Sequence, residues 1–477
     1  KEGNKKQKHV MVTIKIIVFK NEGKLSGKLK VMRKCRYVNL EVIVESYNVK
    51  NQKYKYFYYI MNQEVTIYNK EMNGEVTTPN CLIDEMYGML DKDIFKNSKA
   101  KWLDPCAGTG VFFERLFSNH LLSLPYQKNK NFWTTEINKN HVDLLKHKFG
   151  NLVNVTSCNF LQFKQADFDV IVANPPFQTG GSIKVPTMKK DKKKDGKEMW
   201  SYFVKHAMSL LKDDGVLLMI TPTIWLKRDH KMHEYIMNYQ VKQIKCYDAG
   251  EANKLFHGRC QSPIVVFRLD KTINKNLVQN IKVGEMFYRC GLEDSIPMKY
   301  YNIITKLRPY VNKYGCLNAV KTSMRPGRPN DLVVSKSQNE IFPYANIKTC
   351  LLKKGVKGCK NISSFLVIEY SNIPCVFYGI KKLVLAHKMK GYCYFDKEGE
   401  YGISNRDNYV LADYTEKEME VLNRFLNLEC VMDWFDATRY RMRYLERYIF
   451  DFIPNVNCLP NFPTDITEKS VKEYFGI

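Results

Sequence analysis

Hydrophobic and polar positions change their rhythm twice along the chain. From 1 to 75, runs such as "VTIKIIVF", "YVNLEVIVESY" and "KYKYFYYIMNQEVTIY" gather β-branched and aromatic residues with charged interruptions, which predicts a strand-rich extension. From 76 to 270, short apolar runs alternate with helical periodicity. "AKWLD", "KNFWTTEI", "LVNVTS", "FDVIVA" and "GVLLMITPTIWL" read as strands, and "VFFERLFSNHLLSL", "NKNHVDLLKHKFG" and "WSYFVKHAMSLLKDDG" as helices. The alternation predicts an α/β domain whose mostly parallel, Rossmann-like sheet is covered on both faces, with ligands at the carboxyl ends of its strands. From 271 to 477 the alternation stops. The turn "RPGRPN", the strand-like "PCVFYGIKKLVLAH" and the helical "TEKEMEVLNRFLN" predict a separate α+β domain.

Two of the predicted strands end in unusual loops. After "KWLD" comes "PCAGTG", where Gly108 and Gly110 allow positive φ and close approach of a ligand to the backbone, just before a helix whose first N–H groups are free. The spacing is not that of a dinucleotide fingerprint, and no phosphate-binding lysine comes after it, so a nucleotide without phosphate and an ordinary tight turn both remain open. Glu136 ends the next strand, where a carboxylate can accept from ribose hydroxyls or simply face solvent. "FDVIVA" runs into Asn174-Pro175-Pro176-Phe177. Two prolines end a β-ladder and stiffen the loop beyond it. On that platform the Asn174 side-chain oxygen and the Pro175 carbonyl can both accept from an exocyclic amine, while Phe177 stacks on the ring carrying it.

Composition narrows the partner. The chain has 477 residues, enough for two or three domains, and 75 Lys+Arg against 49 Asp+Glu give a formal charge of +26. Such a surplus attracts polyanions, with nucleic acid foremost, although compositional bias alone also raises lysine. The 14 cysteines form no CxxC pair. Neither a metal site nor a disulfide framework is indicated, and a cytoplasmic protein with reduced thiols is expected. No run of apolar residues is long enough for a membrane span, and the basic start reads as a fold element, not an export signal.

"NPPF" with "DPCAGTG" upstream resembles the catalytic and cofactor motifs of the S-adenosylmethionine-dependent DNA adenine-N6 methyltransferases, in the order that places target recognition at the carboxyl terminus. The resemblance extends to "TTPNCLIDEM" (77 to 86) and to the helix and strand at 200 to 226, about 200 residues in all. It implies a Rossmann-like methyltransferase fold and S-adenosyl-L-methionine as cofactor. Asp104, Cys106, Ala107, Gly108 and Gly110 would pack against the cofactor, Glu136 would bind its ribose, and Thr78 and Pro79 would lie beside its carboxylate. Asn174, Pro175, Pro176 and Phe177 would hold an adenine flipped out of duplex DNA. One position departs, because Asn159 stands where members of the family carry Asp, and a neutral acceptor implies weaker cofactor binding.

Three basic clusters are candidate DNA contacts. Lys189, Lys190, Lys192, Lys193 and Lys194 come after the catalytic motif and suit an arm over phosphates, or a solvated loop. Arg439, Arg441 and Arg443 stand among tyrosines in "ATRYRMRYLERY", where phosphate tracking and structural packing compete. Arg325 and Arg328 flank a rigid turn and suit guanine edges. The expected activity is methylation of adenine N6 in specific duplex sequences, with a partner restriction endonuclease admissible and the oligomeric state open. The rivals are a methyltransferase acting on RNA adenine or protein glutamine, and a non-catalytic DNA-binding subunit of a modification complex.

Overall fold

The computed structural model describes residues 76–119, 131–179, 197–276, 278–322, 331–350, 366–387, 392–404, 408–441 and 445–477. All lie in the unit Thr66–Ile477. The strand-rich extension expected at 1–75 lies outside the described residues.

The helix α1 (Asn80–Gly88) leads into β1 (Trp102–Asp104), and α2 (Val111–Asn119) comes after the glycine turn. Next come β2 (Phe132–Glu136), α3 (Lys139–Phe149), β3 (Val153–Ser157) and β4 (Phe168–Ala173). A short ribbon of β5 (Gln178–Thr179) and β6 (Lys197–Glu198) precedes α4 (Trp200–Leu210) and β7 (Leu211–Pro222). The chain continues through α5 (Lys231–Met237), β8 (Tyr239–Tyr247), α6 (Ala249–Leu255), β9 (Ile264–Ile273), β10 (Val278–Val283) and β11 (Met286–Gly291). The strands form one nine-stranded sheet in the order β3-β2-β1-β4-β7-β9-β8-β10-β11. β9 runs antiparallel to both neighbours, and β11 antiparallel to β10, while the β3-β2-β1-β4-β7 portion is parallel throughout.

Period two sends alternate side chains of the central strands into two cores. Val170 and Val172 of β4, with Leu218 and Ile220 of β7, pack into the core that holds Leu82, Ile83 and Met86 of α1 and Phe112, Phe113 and Leu116 of α2. Ile171 and Ala173, with Leu217 and Met219, pack into the opposite core beside Trp200, Phe203 and Val204 of α4. Burial on both faces is why these strands read as continuous apolar runs.

The boundary expected at 270 falls inside β9, and the sheet continues through β10 and β11 to Gly291. The second core also continues without a break into the carboxyl-terminal region, where it takes in Leu383, Tyr409, Met419, Leu422 and Trp434. That region contributes α7 (Tyr301–Tyr314) and two further four-stranded sheets. One joins β12 (Val320–Lys321), β16 (Lys382–Ala386), β17 (Tyr394–Asp396) and β19 (Asn408–Leu411); the other joins β13 (Val334–Ser335), β14 (Tyr344–Cys350), β15 (Leu366–Ser371) and β18 (Gly402–Ile403). Helix α8 (Glu416–Leu426) begins at a capping box of Thr415 and Glu418 and buries Met419, Leu422, Phe425 and Leu426. Helices α9 (Glu429–Trp434) and α10 (Glu468–Phe475) complete the region. Among the described residues no helix is long and apolar enough to cross a membrane.

Candidate active site

Strand order reverses between β1 and β4, and such a switch point opens a crevice at the carboxyl edge of a sheet. The Asp104–Gly110 turn leaves β1 there and Asn174 leaves β4 there. The two loops touch: the Cys106 thiol lies 3.5 Å from the Asn174 carbonyl.

The glycine turn is held mostly by its neighbour β2. Gly108 has φ +53° and Gly110 φ +79°, conformations that suit glycine. The Gly108 N–H donates to one carboxylate oxygen of Glu136 at 2.8 Å, and the Asn138 N–H donates to the other at 2.7 Å. Thr135, fully buried, donates its hydroxyl to the Pro105 carbonyl at 2.7 Å, and its own carbonyl accepts from the Ala107 N–H. Glu136, itself buried, therefore ties two strand ends together. Gly110 serves packing: a Cβ there would come within 2.6 Å of Leu145 Cδ2 and Phe149 Cε2 on α3. Its smallness lets the turn settle on α3.

Asp104 is fully buried. One carboxyl oxygen accepts weakly from the Cys106 N–H at 3.4 Å, and the other has no hydrogen-bond partner. Burial, reinforced by the charge of Glu136, pushes its pKa up to about 8. An orphaned buried oxygen beside a positive-φ turn and an acid at the next strand end fits a cofactor that carries both an amine and ribose hydroxyls. The residues present thus suit S-adenosylmethionine.

The Asn174 amide is oriented from outside its own loop. Its Nδ2 donates to the Val76 carbonyl at 3.3 Å and to the Thr78 hydroxyl at 3.1 Å. Both N–H groups are spent, so Oδ1 is the atom left to accept. Thr78 is buried, and Pro79 after it stands extended as the N-cap of α1. Pro175 is buried and Pro176 half-buried. The half-buried Phe177 packs between the two cores, and its carbonyl accepts from the Met199 N–H at 3.0 Å. Asn159 is exposed and its side-chain oxygen caps the Leu161 N–H at 3.0 Å, so the residue that departs from the expected Asp is already engaged in a local turn.

The structure thus brings together Thr78, Asp104, Cys106, Ala107, Gly108, Glu136 and Asn174 at one edge. Val76 and Thr135 join them without a signal in the sequence, because one acts through its carbonyl and the other reads as an ordinary strand residue. The basic candidates fare differently. Arg439 is only 18% exposed and paired with Asp436 at 2.5 Å, and Arg441 makes a bidentate pair with buried Glu446 at 2.6 and 3.0 Å. Tyr440 between them is buried, its hydroxyl bonded to the Ile296 carbonyl at 2.8 Å. Arg439 is thus largely enclosed, whereas Arg441, though paired with Glu446, keeps 47% of its side chain exposed. Lys189, Lys190, Lys192, Lys193, Lys194, Arg325, Arg328 and Arg443 lie outside the described residues.

Residues 115–256 match the Eco57I restriction-modification methylase family. The matched span includes Glu136, Asn159 and the Asn174 loop and begins after the glycine turn. Among solved structures, the type IIG restriction endonuclease BpuSI is 12% identical, with 86% of this chain and 62% of that one covered and a TM-score of 0.42. The type I restriction enzyme EcoKI M protein is 17% identical (45% and 49% covered, TM-score 0.32). The type I restriction-modification methyltransferase subunit from Streptococcus thermophilus is 15% identical (41% and 45% covered, TM-score 0.29). The chain spans 45% to 62% of the lengths of these three. No curated protein matches it.

Proposed function

We propose that this protein methylates the N6 amine of an adenine flipped out of specific duplex DNA sequences, with S-adenosyl-L-methionine as methyl donor. The observation that carries the reading is the tethered amide of Asn174, whose Oδ1 is the free acceptor at the switch point of the sheet. The restriction-modification methylase match across the same loop supports DNA as substrate, as does the charge of +26.

When bound, the cofactor supplies an electrophilic methyl group. Asp104, Gly108 and Glu136 would hold it. Asn174 Oδ1 and the Pro175 carbonyl accept the two N6 hydrogens, which draws the nitrogen lone pair out of conjugation. Phe177 supports the extruded ring, and stacking of this kind contributes about 1–3 kcal/mol per base. The bound cofactor would supply its methyl group to the N6 lone pair, and the surplus proton on nitrogen would pass to water. Positioning is the main source of rate, so no side chain needs to act as a base beforehand. The carboxyl-terminal region from 271 onward would recognise the target, and a partner endonuclease would complete a restriction system.

Incubation with labelled S-adenosylmethionine and duplex DNA or total RNA, and then mass spectrometry of nucleosides, tests the reading. We expect N6-methyladenine in duplex DNA alone. Label in RNA alone would replace the substrate, and cofactor binding without transfer to any nucleic acid would leave a scaffold. Asn174→Ala should abolish transfer while cofactor and DNA binding persist.

A further inference from the structure

The resemblance places Thr78 beside the cofactor, and its hydroxyl oxygen accepts from the Asn174 amide. An amide that must present oxygen to an amine faces a specific hazard. Rotated by a half-turn, it presents N–H donors of nearly the same shape, and the site then favours a carbonyl on the base. The Val76 carbonyl stands against that rotation, and the Thr78 hydroxyl anchors the amide. Val76 contributes its backbone carbonyl and Thr78 its Oγ1, and a rotated amide would set oxygen against oxygen at Val76. The segment that carries them is firmly seated. Pro79 restricts Thr78 to extended backbone, and α1 is locked by buried Leu82, Ile83, Met86 and Tyr87, with the Tyr87 hydroxyl bonded to the Phe112 carbonyl at 2.8 Å.

We propose that Thr78 is a positioning residue: by accepting from the Asn174 amide it holds Oδ1 against the target amine, while the Val76 carbonyl fixes which end of the amide faces the base. The inference rests on the adenine-N6 reading of Asn174. It also makes the segment before α1 part of base recognition, in addition to any role beside the cofactor.

Thr78→Val keeps the shape and removes the acceptor, and Thr78→Ser restores the hydroxyl. Both variants are compared with the wild type for kcat, for KM of S-adenosylmethionine, and for binding of duplexes carrying adenine or hypoxanthine at the target site found by sequencing wild-type product. For Thr78→Val we expect kcat to fall by about ten- to a hundredfold, the loss of one oriented hydrogen bond. KM for the cofactor should stay near the wild-type value, and the binding preference for adenine over hypoxanthine, set at Val76, should persist. Thr78→Ser should recover kcat. A raised cofactor KM with unchanged kcat would overturn the proposal in favour of direct cofactor contact. Equal losses in the Val and Ser variants would overturn it in favour of methyl packing. A wild-type protein without methyl transfer refutes the adenine-N6 reading and this inference with it, whereas an active wild type with a normal Thr78→Val variant refutes the inference alone.

Discussion

Asp104 makes a pH-dependent demand on the fold. Its folded pKa near 8 stands above the ordinary value of 3.8, so the folded protein holds a proton that the unfolded chain has released between those limits. Stability from this group is complete below about pH 4, declines as pH rises towards 8, and then levels off at its lowest value. Asp104→Asn should therefore show a shallower decline of Tm between about pH 5 and about pH 8 than the wild type. Parallel Tm curves would mean that Asp104 is ionised throughout. At Phe177 a different loss is expected. Stacking assists placement but accepts no hydrogen, so Phe177→Ala should lower kcat/KM by about ten- to a hundredfold, less than Asn174→Ala. Equal activities in the two variants would displace the active site from this loop. The Asn-Pro-Pro-Phe signal was legible because prolines and an amide are costly at the end of a buried strand. The partners of Asn174 were not, since a carbonyl at 76 leaves no mark in a side-chain pattern.

At the scale of elements, the junction of the glycine turn with α3 depends on the missing side chain of Gly110. Gly110→Ala would force Leu145 and Phe149 aside and strain a backbone at φ +79°. We expect a stability loss of about 1–3 kcal/mol by denaturant titration. In the carboxyl-terminal sheets the comparable element is a buried ion pair. Lys382 of β16 bonds Asp396 of β17, and Asp396 also accepts from the N–H groups of Glu400 (2.9 Å) and Tyr401 (3.1 Å). Burial holds the Lys382 pKa below the ordinary lysine value, with Asp396 opposing that shift. Lys382→Met would leave a buried carboxylate without its cation and should cost about 3–5 kcal/mol. An effect below about 1 kcal/mol would show that the pair contributes little net stability.

Across the whole molecule, electrostatics and the shared core set the behaviour. With a charge of +26, binding to duplex DNA should weaken steeply with salt. Neutralising about six phosphates would lower affinity about a thousandfold between about 50 and 200 mM salt, which fluorescence anisotropy measures directly. A flat dependence would argue against a phosphate-tracking surface. The strand–helix alternation from 76 onward was determined by sequence alone, because period two and period 3.6 are local properties of an apolar pattern. So was the α8 start, because its capping box is a local motif running from Thr415 to Glu418. The extent of the sheet was decided only in three dimensions. β10 pairs with β8, where Lys282 meets Gln243, and brings β11 into the sheet with it; nothing within residues 271–291 states that partner. The fate of the arginines was decided there too. For Arg439 and Arg441 the one-dimensional pattern leaves phosphate tracking and packing open, and which carboxylates of the chain come within hydrogen-bonding distance depends on folding.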